Sequence, residues 1–447
     1  MKIALTSLAG SSIEWYDFFI FGTAAALFFP ELFFPDAAPF VGTLLAFATF
    51  GVAFLARPLG GVLWGHFGDR IGRKKALVAA LMSMGVATTL IGLLPTYAVI
   101  GVAAPITLVI LRFIQGLAVG GQWGGAVLIA TESAPREKRG FYGSFAQVGV
   151  PVGVILSNVA FLIVFAAMGP EAQAAWGWRV PFLLSFLLIG VGLYVQLRLE
   201  ETPAFQHLQE RAEASSESEE SRQQSSGSPI IEAFRRFPKE IFLAAGAFVV
   251  VNATFYIFIV YILSYGETVL GLSQGVMLTG VLLSSIIQIP ALMGFSALSD
   301  RVGRRIVYLS GAGLLGLWAF PFFWLVNTES SILIWLALIV GQTFLSMMYG
   351  PQAALLSEMF STELRYSGAS LGYQLGAVFG GALAPIICAS LLEATGSSLA
   401  ISAYMLLIAI ISFVCVIFIT ETYQTDVDEA EAQKRATATA RQDPATG

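Results

Sequence analysis

The sequence of 447 residues is 56% hydrophobic and only 12% charged, and its mean hydropathy is +0.77. A soluble globular protein of this length needs more polar residues than that on its surface, so the composition excludes a soluble fold and predicts a membrane protein. The net charge of −5 offers no basic surface for nucleic acid, and we expect no nucleic-acid partner.

Twelve apolar stretches follow one another along the chain, and each is close to the ~20 residues that cross a lipid bilayer as a helix. Because backbone groups in lipid must be hydrogen-bonded within the segment, we predict helices and an all-α polytopic membrane fold. The first stretch contains Glu14 and Asp17 and lacks a basic leader, which is typical of a retained helix rather than a signal peptide. The predicted spans lie near residues 12–30, 41–65, 76–95, 101–131, 141–166, 180–197, 240–266, 274–297, 306–326, 331–356, 367–392 and 398–420.

The basic residues indicate the orientation of these spans. Of 24 Lys and Arg residues, Arg57 and Arg112 lie inside spans and Arg179 flanks span six, whereas the other 21 fall on one side. Basic loops face the cytoplasm, so we predict a multi-pass protein of the cell (inner) membrane with both termini cytoplasmic.

Two segments differ in composition from the spans. Residues 200–239 are charged and Ser-rich and cannot bury enough apolar surface to fold alone, so we interpret them as a cytoplasmic linker; a regulatory or partner-binding loop is the alternative. Residues 421–447 are predicted to be a solvated cytoplasmic tail. The linker then separates two six-helix halves, at residues 1–199 and 240–420.

A motif repeat relates these halves. Residues 69–74, DRIGRK, recur as residues 300–305, DRVGRR, at an offset of 231. The pair Glu132 and Arg139 recurs as Glu358 and Arg365 at an offset of 226. Two independent motifs at nearly equal offsets predict that one six-helix unit was duplicated in parallel.

Several stretches between about residues 10 and 420 carry a family resemblance. The motif G-x-x-x-D-R-x-G-R-K at residues 65–74, with its repeat, resembles the cytoplasmic signature of the major facilitator superfamily. Residues 14–18 (EWYDF), 57–61 (RPLGG), 120–125 (GGQWGG), 176–182 (WGWRVPF) and 365–368 (RYSG) look like the metabolite:proton symporter family, most of all its shikimate-transporter-like members. The resemblance implies a secondary active transporter with the major facilitator fold of 12 transmembrane helices.

The family resemblance also bears on the substrate. It implies a solute of the kind that family members carry, which are shikimate, α-ketoglutarate, citrate, or proline and betaine. Gln122 departs from the G-G-E-W-G-G of such relatives, so one titratable position of theirs is missing here.

Charged side chains inside spans are costly in lipid and are kept mainly where they face a partner or a wet cavity. Glu14 and Asp17 are three residues apart and share a face of the first helix. At a rise of about 1.5 Å per residue, Arg57 and Arg112 both lie near mid-membrane. Two acids and two bases in the first half can therefore neutralise one another.

We hypothesise that Asp17 carries the proton, with Glu14 beside it and Arg112 as a switchable partner. A carboxylate whose guanidinium partner comes and goes can bind and release a proton near neutral pH. Tyr16 and Asp17 with Arg112 resemble a Tyr-Asp pair and an Arg that act together in facilitator sugar symporters. The alternative is a permanent salt bridge between helices one and four.

Arg57 is expected to bind a substrate carboxylate, because Arg is always charged and can grip that group bidentately. Its alternative is pairing with Glu14 alone. Neutral polar residues are predicted to line the same site, although hydrogen bonding between helices is an alternative for each of them. They are Gln115, Gln122, Trp123, Gln147 and Asn158 in the first half, and Asn252, Tyr256, Gln288, Gln342, Tyr349 and Gln374 in the second.

The repeated motifs are predicted to form a cytoplasmic gate. Asp69 and Asp300 lie where the next helices begin, and a carboxylate is favoured at a helix N-terminus. Ion pairs that form when the halves close are predicted from Arg70, Arg73, Glu132 and Arg139, and from their counterparts Arg301, Arg304, Glu358 and Arg365. The alternative, that the bases only set topology, does not explain the paired acids.

No motif of an enzyme is present in the sequence. It has no G-x-x-x-x-G-K-[ST] loop for ATP, and His66 and His207 lack neighbours at metal-ligand spacing. We therefore expect no metal and no cofactor, with the proton gradient as the energy source. The predicted function is proton-coupled symport of a small carboxylated metabolite by a monomer, with a proton-driven exporter and a membrane solute or osmotic sensor as alternatives.

Overall fold

The computed structural model describes residues 2–71, 73–120, 138–198, 234–360 and 365–421, and these residues form helices but no β-strand. Six long helices precede residue 199: α1 (Lys2–Leu27), α2 (Pro39–Ile71), α3 (Arg73–Leu93), α4 (Ala103–Val119), α5 (Arg139–Ala167) and α6 (Arg179–Arg198). Six follow residue 233: α7 (Pro238–Thr268), α8 (Gln274–Val302), α9 (Arg304–Val326), α10 (Ser331–Glu358), α11 (residues 365–395) and α12 (Ser398–Phe418).

These helices confirm the twelve predicted spans within the described residues. Eight of them, α2, α5 and α7 to α12, are long and apolar enough to cross a bilayer by length and composition alone. The apolar segments Val78–Leu93 and Ala103–Val119 are shorter. Successive spans alternate in direction, so α1 begins and α12 ends at one face of the bundle, which we call the terminal face.

The first span differs from its predicted bounds of 12–30. Helix α1 begins ten residues earlier, at Lys2, and ends at Leu27. Phe28 leaves the helical conformation with a φ of −129°, and a short helix, Phe29–Phe33, begins there with Pro30 in its first turn. Proline has no N–H to continue α1 but suits the first turn of a new helix, which explains the break.

Two π-helical turns interrupt the long helices α7 and α11, at Ile257–Tyr261 and Val378–Ala382. The turn in α11 presses its backbone against Phe54 of the first half and against Tyr256 of α7, since a Cβ on Gly381 would lie 2.5 Å from the Phe54 ring and 2.9 Å from the Tyr256 ring. Such turns are frequent at functional sites because they redirect the backbone locally. Here the turn brings α11 against aromatic rings at the boundary between the halves.

Helices α2 and α4 pack with almost no side chain between them. A Cβ on Gly116 would lie 2.4 Å from the carbonyl oxygen of Ala53, and one on Gly120 would lie 2.0 Å from that of Arg57. Small residues permit this close approach of two helices in a membrane. The contact fixes the part of α2 that carries Arg57 against α4, which carries Arg112.

We predict that Gly116→Ala lowers the melting temperature of the purified protein, because the added methyl group has no space and overpacking costs about 1–3 kcal/mol. Gly294→Ala in α8 is the matched control, since a Cβ there meets no atom within 4 Å. Alanine is the better helix former, so the control is expected to unfold at the same or a higher temperature. Equal melting temperatures for the two variants would contradict the close contact between α2 and α4.

Candidate functional site

A cavity lies between the two halves, with about 280 Å³ of empty space among its lining atoms. Helices α1 and α5 line it from the first half and α7, α10 and α11 from the second. Small-molecule sites are usually apolar with a few polar groups. Six aromatic side chains dominate the lining: Trp15, Phe248, Phe255, Tyr256, Tyr349 and Tyr373.

Three of the predicted substrate residues line this cavity. Asn252 and Tyr256 belong to α7, and Tyr349 belongs to α10. The amide nitrogen of Asn252 is buried and has no hydrogen-bond partner among the described residues. The cavity therefore offers an unused hydrogen-bond donor within an aromatic lining.

Arg57 lies beside the cavity wall and is only 2% exposed. Its guanidinium carbon is 4.5 Å from the ring centre of Phe18, 4.7 Å from that of Phe54 and 5.4 Å from that of Trp15, which itself lines the cavity. Its Nε and Nη2 atoms have no hydrogen-bond partner in the described part of the chain. The guanidinium is thus held by aromatic faces and retains free donors.

Arg112 is fully buried in a second part of the same aromatic cluster. Its guanidinium carbon is 4.1 Å from the ring centre of Phe21, 4.3 Å from that of Phe18 and 5.0 Å from that of Phe50. Nη1 donates to Oε1 of Gln115 at 3.1 Å, whereas Nε and Nη2 find no partner within the described residues. The Phe18 ring therefore contacts both buried guanidinium groups.

Asp17 is 1% exposed and is held by two hydroxyl groups rather than by a cation. Ser185 of α6 donates to Oδ1, and Thr88 of α3 donates to Oδ2 at 3.3 Å. The Nε2 atom of Gln115 donates to Thr88 Oγ1 at 2.7 Å. Thr88 and Gln115 therefore lie between Asp17 and Arg112.

The expected direct pairing of acids and bases differs from what the structure shows. Among the described residues, no ion pair within 4.0 Å joins Asp17 or Glu14 to Arg57 or Arg112. The reason is the direction of α1: Asp17 points to α3 and α6, and the next residue, Phe18, points to both guanidinium groups. Glu14 is half-buried on the same helix.

The other predicted polar residues are placed in different ways. Gln147 donates to the carbonyl oxygen of Tyr349 at 3.3 Å and so links α5 to α10, whereas Asn158 donates to Val154 within its own helix. Gln288 and Gln342 are fully buried, and neither amide has a partner among the described residues.

The remaining predicted residues lie either in the second half or outside the described residues. Gln342 precedes the cavity residues Leu345 and Tyr349 by three and seven positions, so it shares their helix face. The Oε1 atom of Gln374 is buried without a partner in the described structure. Gln122 and Trp123 lie outside the described residues.

An ion-pair cluster joins the halves at the terminal face. Asp300, at the end of α8, accepts hydrogen bonds from the backbone N–H groups of Gly140 and Phe141 at 2.9 and 2.8 Å. Arg304 forms an ion pair with Asp300 and approaches Glu358 of α10 at 3.5 Å. Asp300 was expected at the start of its own next helix, but it caps α5 of the other half instead, because the end of α8 packs against the start of α5.

Glu421 occupies the helix start that Asp300 was expected to cap. Its two carboxylate oxygens accept from the backbone N–H groups of Arg304 and Arg305 at 3.2 and 3.1 Å. The residue before them, Gly303, has a φ of +102°, a conformation that favours glycine. Sequence reasoning assigned Glu421 to the tail, and its only signal was an acid directly after the last span.

The remaining gate residues are only partly described. Arg139 is half-buried at the start of α5, and Arg301 is exposed. Asp69, Arg70, Arg73 and Arg365 belong to described helices, but their side chains lie outside the described residues, as does the whole of Glu132.

Thr88 and Ser185 were missed by the sequence analysis. Both are hydroxyl residues in apolar spans, where such side chains usually bond to a carbonyl of their own helix. The neighbouring Thr89 does so, donating to Gly85 at 2.8 Å. No signal in a single sequence separates the threonine that faces a carboxylate from the one that does not.

Comparisons with known proteins agree with this architecture. The family model described as the Major Facilitator Superfamily matches residues 7–371. The shikimate transporter of Escherichia coli is 41% identical over 399 residues, covering 88% of this chain and 87% of that protein. The glycine betaine/proline/ectoine/pipecolic acid transporter OusA of Dickeya dadantii is 34% identical over 425 residues, covering 94% of this chain and 84% of that protein.

The fold is also that of a solved structure. The proton:xylose symporter XylE from E. coli, bound to 6-bromo-6-deoxy-D-glucose, superposes with a TM-score of 0.73 at 17% identity, covering 96% of this chain and 98% of that one. These relatives and neighbours are membrane transporters and not enzymes. The chain therefore belongs to the Major Facilitator Superfamily, as its repeated loop motif predicted, and has that family's fold of twelve transmembrane helices.

Proposed function

We propose that this protein is a proton-coupled symporter that takes up a small carboxylated metabolite by alternating access. The observation that carries the proposal is Arg57, a fully buried guanidinium that has free donors, no paired carboxylate among the described residues, and a place beside the cavity between the halves. The relatives named above transport shikimate or betaine-type solutes, which supports a substrate with a carboxylate.

A carboxylate is the group that best completes the surroundings of Arg57. Burying an ion without a counter-ion costs several kcal/mol, and an anion that accepts two parallel N–H bonds offsets that cost. Asn252 and the three tyrosines of the lining can hydrogen-bond to other polar atoms of the same solute. The site thus favours a small anion or zwitterion over a neutral apolar compound.

Asp17 is the proposed proton carrier. Its carboxyl group is buried and accepts from two hydroxyls, with no cation within 4.0 Å in the described structure, so both its charged and its neutral form can be hydrogen-bonded there. A group of this kind can take a proton on one side of the membrane and release it on the other as the halves rock. The proton gradient is then the energy source, and a single chain suffices.

The cluster at the terminal face is the proposed cytoplasmic gate. Asp300 of the second half accepts from the start of α5 in the first half, and Arg304 is the counter-ion of Asp300 and of a second carboxylate, Glu358. Gly140 has no room for a side chain, since a Cβ there would lie 2.8 Å from Asp300 and 2.6 Å from Arg304. Opening toward the cytoplasm requires the bonds from Gly140 and Phe141 to Asp300 to break.

We predict that Arg57→Gln keeps or raises the melting temperature of the free protein, because it removes a buried charge that lacks a counter-ion. It is also expected to abolish the thermal stabilisation given by whichever of shikimate, α-ketoglutarate and glycine betaine stabilises the wild type. Arg57→Lys keeps the charge but loses the bidentate fork, so it should retain only a weak response. Arg301→Gln, an exposed arginine, is the control; a lower melting temperature for free Arg57→Gln would indicate a structural ion pair instead.

We predict that Asp17→Asn abolishes accumulation driven by an inward proton gradient in proteoliposomes but preserves exchange of labelled for unlabelled solute. One pH unit can drive up to about tenfold accumulation per proton in the wild type, because it corresponds to about 1.4 kcal/mol. Glu171→Gln, which removes an exposed carboxylate at the opposite face, is the control and should accumulate normally. Unaltered pH dependence in Asp17→Asn would remove its coupling role, and a wild type that concentrates solute only outward would indicate an exporter.

We predict that Arg304→Gln loosens the gate and raises several-fold the labelling of Leu345→Cys, a cavity position, by an impermeant maleimide added at the cytoplasmic side. The measurement uses a background without the native Cys388 and Cys415. Without Arg304 the buried Asp300 lacks its counter-ion in the closed form, which costs about 3–5 kcal/mol and favours the open form, where Asp300 reaches water. Lys239→Gln, which removes an exposed charge at the start of α7 on the same face, is the control, and equal labelling in both variants would exclude a gating role for Arg304.

A further inference from the structure

We infer that Thr88 and Gln115 form a relay through which protonation of Asp17 weakens the hydrogen bond from Arg112 to Gln115. The inference rests on the proposed role of Asp17 as proton carrier. The structure joins these residues in one hydrogen-bonded series across three helices. Arg112 of α4 contacts Gln115, Gln115 contacts Thr88 of α3, and Thr88 contacts Asp17 of α1.

The direction of every bond in the series follows from the chemistry of arginine. A guanidinium has only donors, so the Gln115 atom that faces Arg112 at 3.1 Å must be the oxygen. The amide nitrogen of Gln115 then faces Thr88 and donates to its hydroxyl oxygen at 2.7 Å. The hydrogen of Thr88 is therefore left free to point away from Gln115.

Thr88 has two acceptors for that one hydrogen. Its oxygen lies 2.8 Å from the carbonyl of Met84, one turn earlier in α3, and 3.3 Å from Oδ2 of Asp17. A hydroxyl has a single hydrogen and two lone pairs, so it can donate to only one of the two at a time. The position of the hydrogen is thus a choice between the backbone and the carboxyl group.

The charge of Asp17 determines which of the two acceptors Thr88 donates to. An ionised carboxylate has no hydrogen and is the stronger acceptor, so Thr88 donates to Asp17 and the series runs from Arg112 to a negative charge. Once a proton binds to Oδ2, the carboxyl group can itself donate to the free lone pair of Thr88, whose hydrogen then turns to Met84. The proton enters and leaves at Asp17 alone, and Thr88 exchanges none.

The protonation state of Asp17 affects Arg112 because hydrogen bonds in a series polarise one another. With Asp17 ionised, the series ends on an anion and the bond from Arg112 to Gln115 is strengthened. With Asp17 neutral, that contribution is lost and the guanidinium, which already has Nε and Nη2 free of partners in the described structure, is held less firmly. Protonation would then free Arg112 to turn toward an anion near Phe18.

Few other charged or ionisable groups near Asp17 could connect it to a cation. Glu14 and Tyr16 lie on its own helix, and Tyr16 donates to the carbonyl of Pro181. Arg112 on α4 and Arg57 on α2 are the cations, and both pack on the Phe18 ring rather than on Asp17.

The other helices packed against α1 bring no further charge to Asp17. The described side chains of α3 include no ionisable group, and those of α5 and α6 include such groups only at or near the helix starts, at Arg139, Tyr142 and Arg179. Tyr256 of α7 contacts the Phe18 ring. Within the described residues, the series through Thr88 is therefore the hydrogen-bonded connection between Asp17 and a cation.

The test uses pH-induced infrared difference spectra of the purified full-length protein with isotope-labelled guanidinium carbons. In the wild type we expect a carboxyl band that is lost in Asp17→Asn and a guanidinium band, lost in Arg112→Lys, that changes over the same pH range. Thr88→Val has nearly the same shape but no hydroxyl. It should keep the carboxyl band and lose most of the guanidinium change, whereas Thr88→Ser should restore it.

Thr89→Val is the matched control, because the hydroxyl of Thr89 bonds only to its own helix in the described structure. It should give both bands as in the wild type. If Thr88→Val does not fold, Gln115→Met breaks the series one bond further along and should also lose the guanidinium change. A guanidinium change that persists in either variant overturns the relay, while a wild type without a carboxyl band that Asp17→Asn removes overturns the proton role of Asp17 itself.

Discussion

Two positive charges lie in the interior of this membrane protein without a paired carboxylate among the described residues, and most other features of the site follow from them. Arg57 and Arg112 cannot be solvated where they lie, and aromatic faces replace water only in part. Phe18, which contacts both, keeps them in one cluster. An interior of this kind favours the entry of an anion, and a bound anion would in turn stabilise the arrangement.

The fold supplies the rigidity that this arrangement needs. Glycines on α4 bring its backbone onto that of α2, so the two arginines are carried by helices in direct contact. The π-helical turn of α11 then presses Gly381 against Phe54, one of the rings around Arg57. The second half thus contacts the rings around Arg57 as well as the cavity. Movement of the second half can therefore change the surroundings of a charge in the first half.

The sequence was sufficient to predict the spans, because long apolar runs have no soluble alternative. It also indicated that the charges of Asp17, Arg57 and Arg112 would be buried, because charged groups inside spans are kept away from lipid. It could not predict which groups bond. Thr88 and Thr89 are adjacent and identical, yet only Thr88 faces Asp17, and this difference depends on how α3 is rotated against α1. The same limit applies to Asp300, whose partner helix lies 160 residues away in the chain.

The two carboxylates at the terminal face differ in what they join, and this difference bears on how the protein responds to salt. Glu421 caps α9 within the second half and can stay bonded while the halves move. Asp300 caps α5 across the boundary, so each opening of the proposed gate would expose an anion and a helix N-terminus to solution. Ions screen exposed charges more strongly than buried ones. We therefore expect the ionic strength on this side of the membrane to act on the open form of the proposed gate more than on the closed one, so that a higher concentration of salt shifts the cycle toward opening.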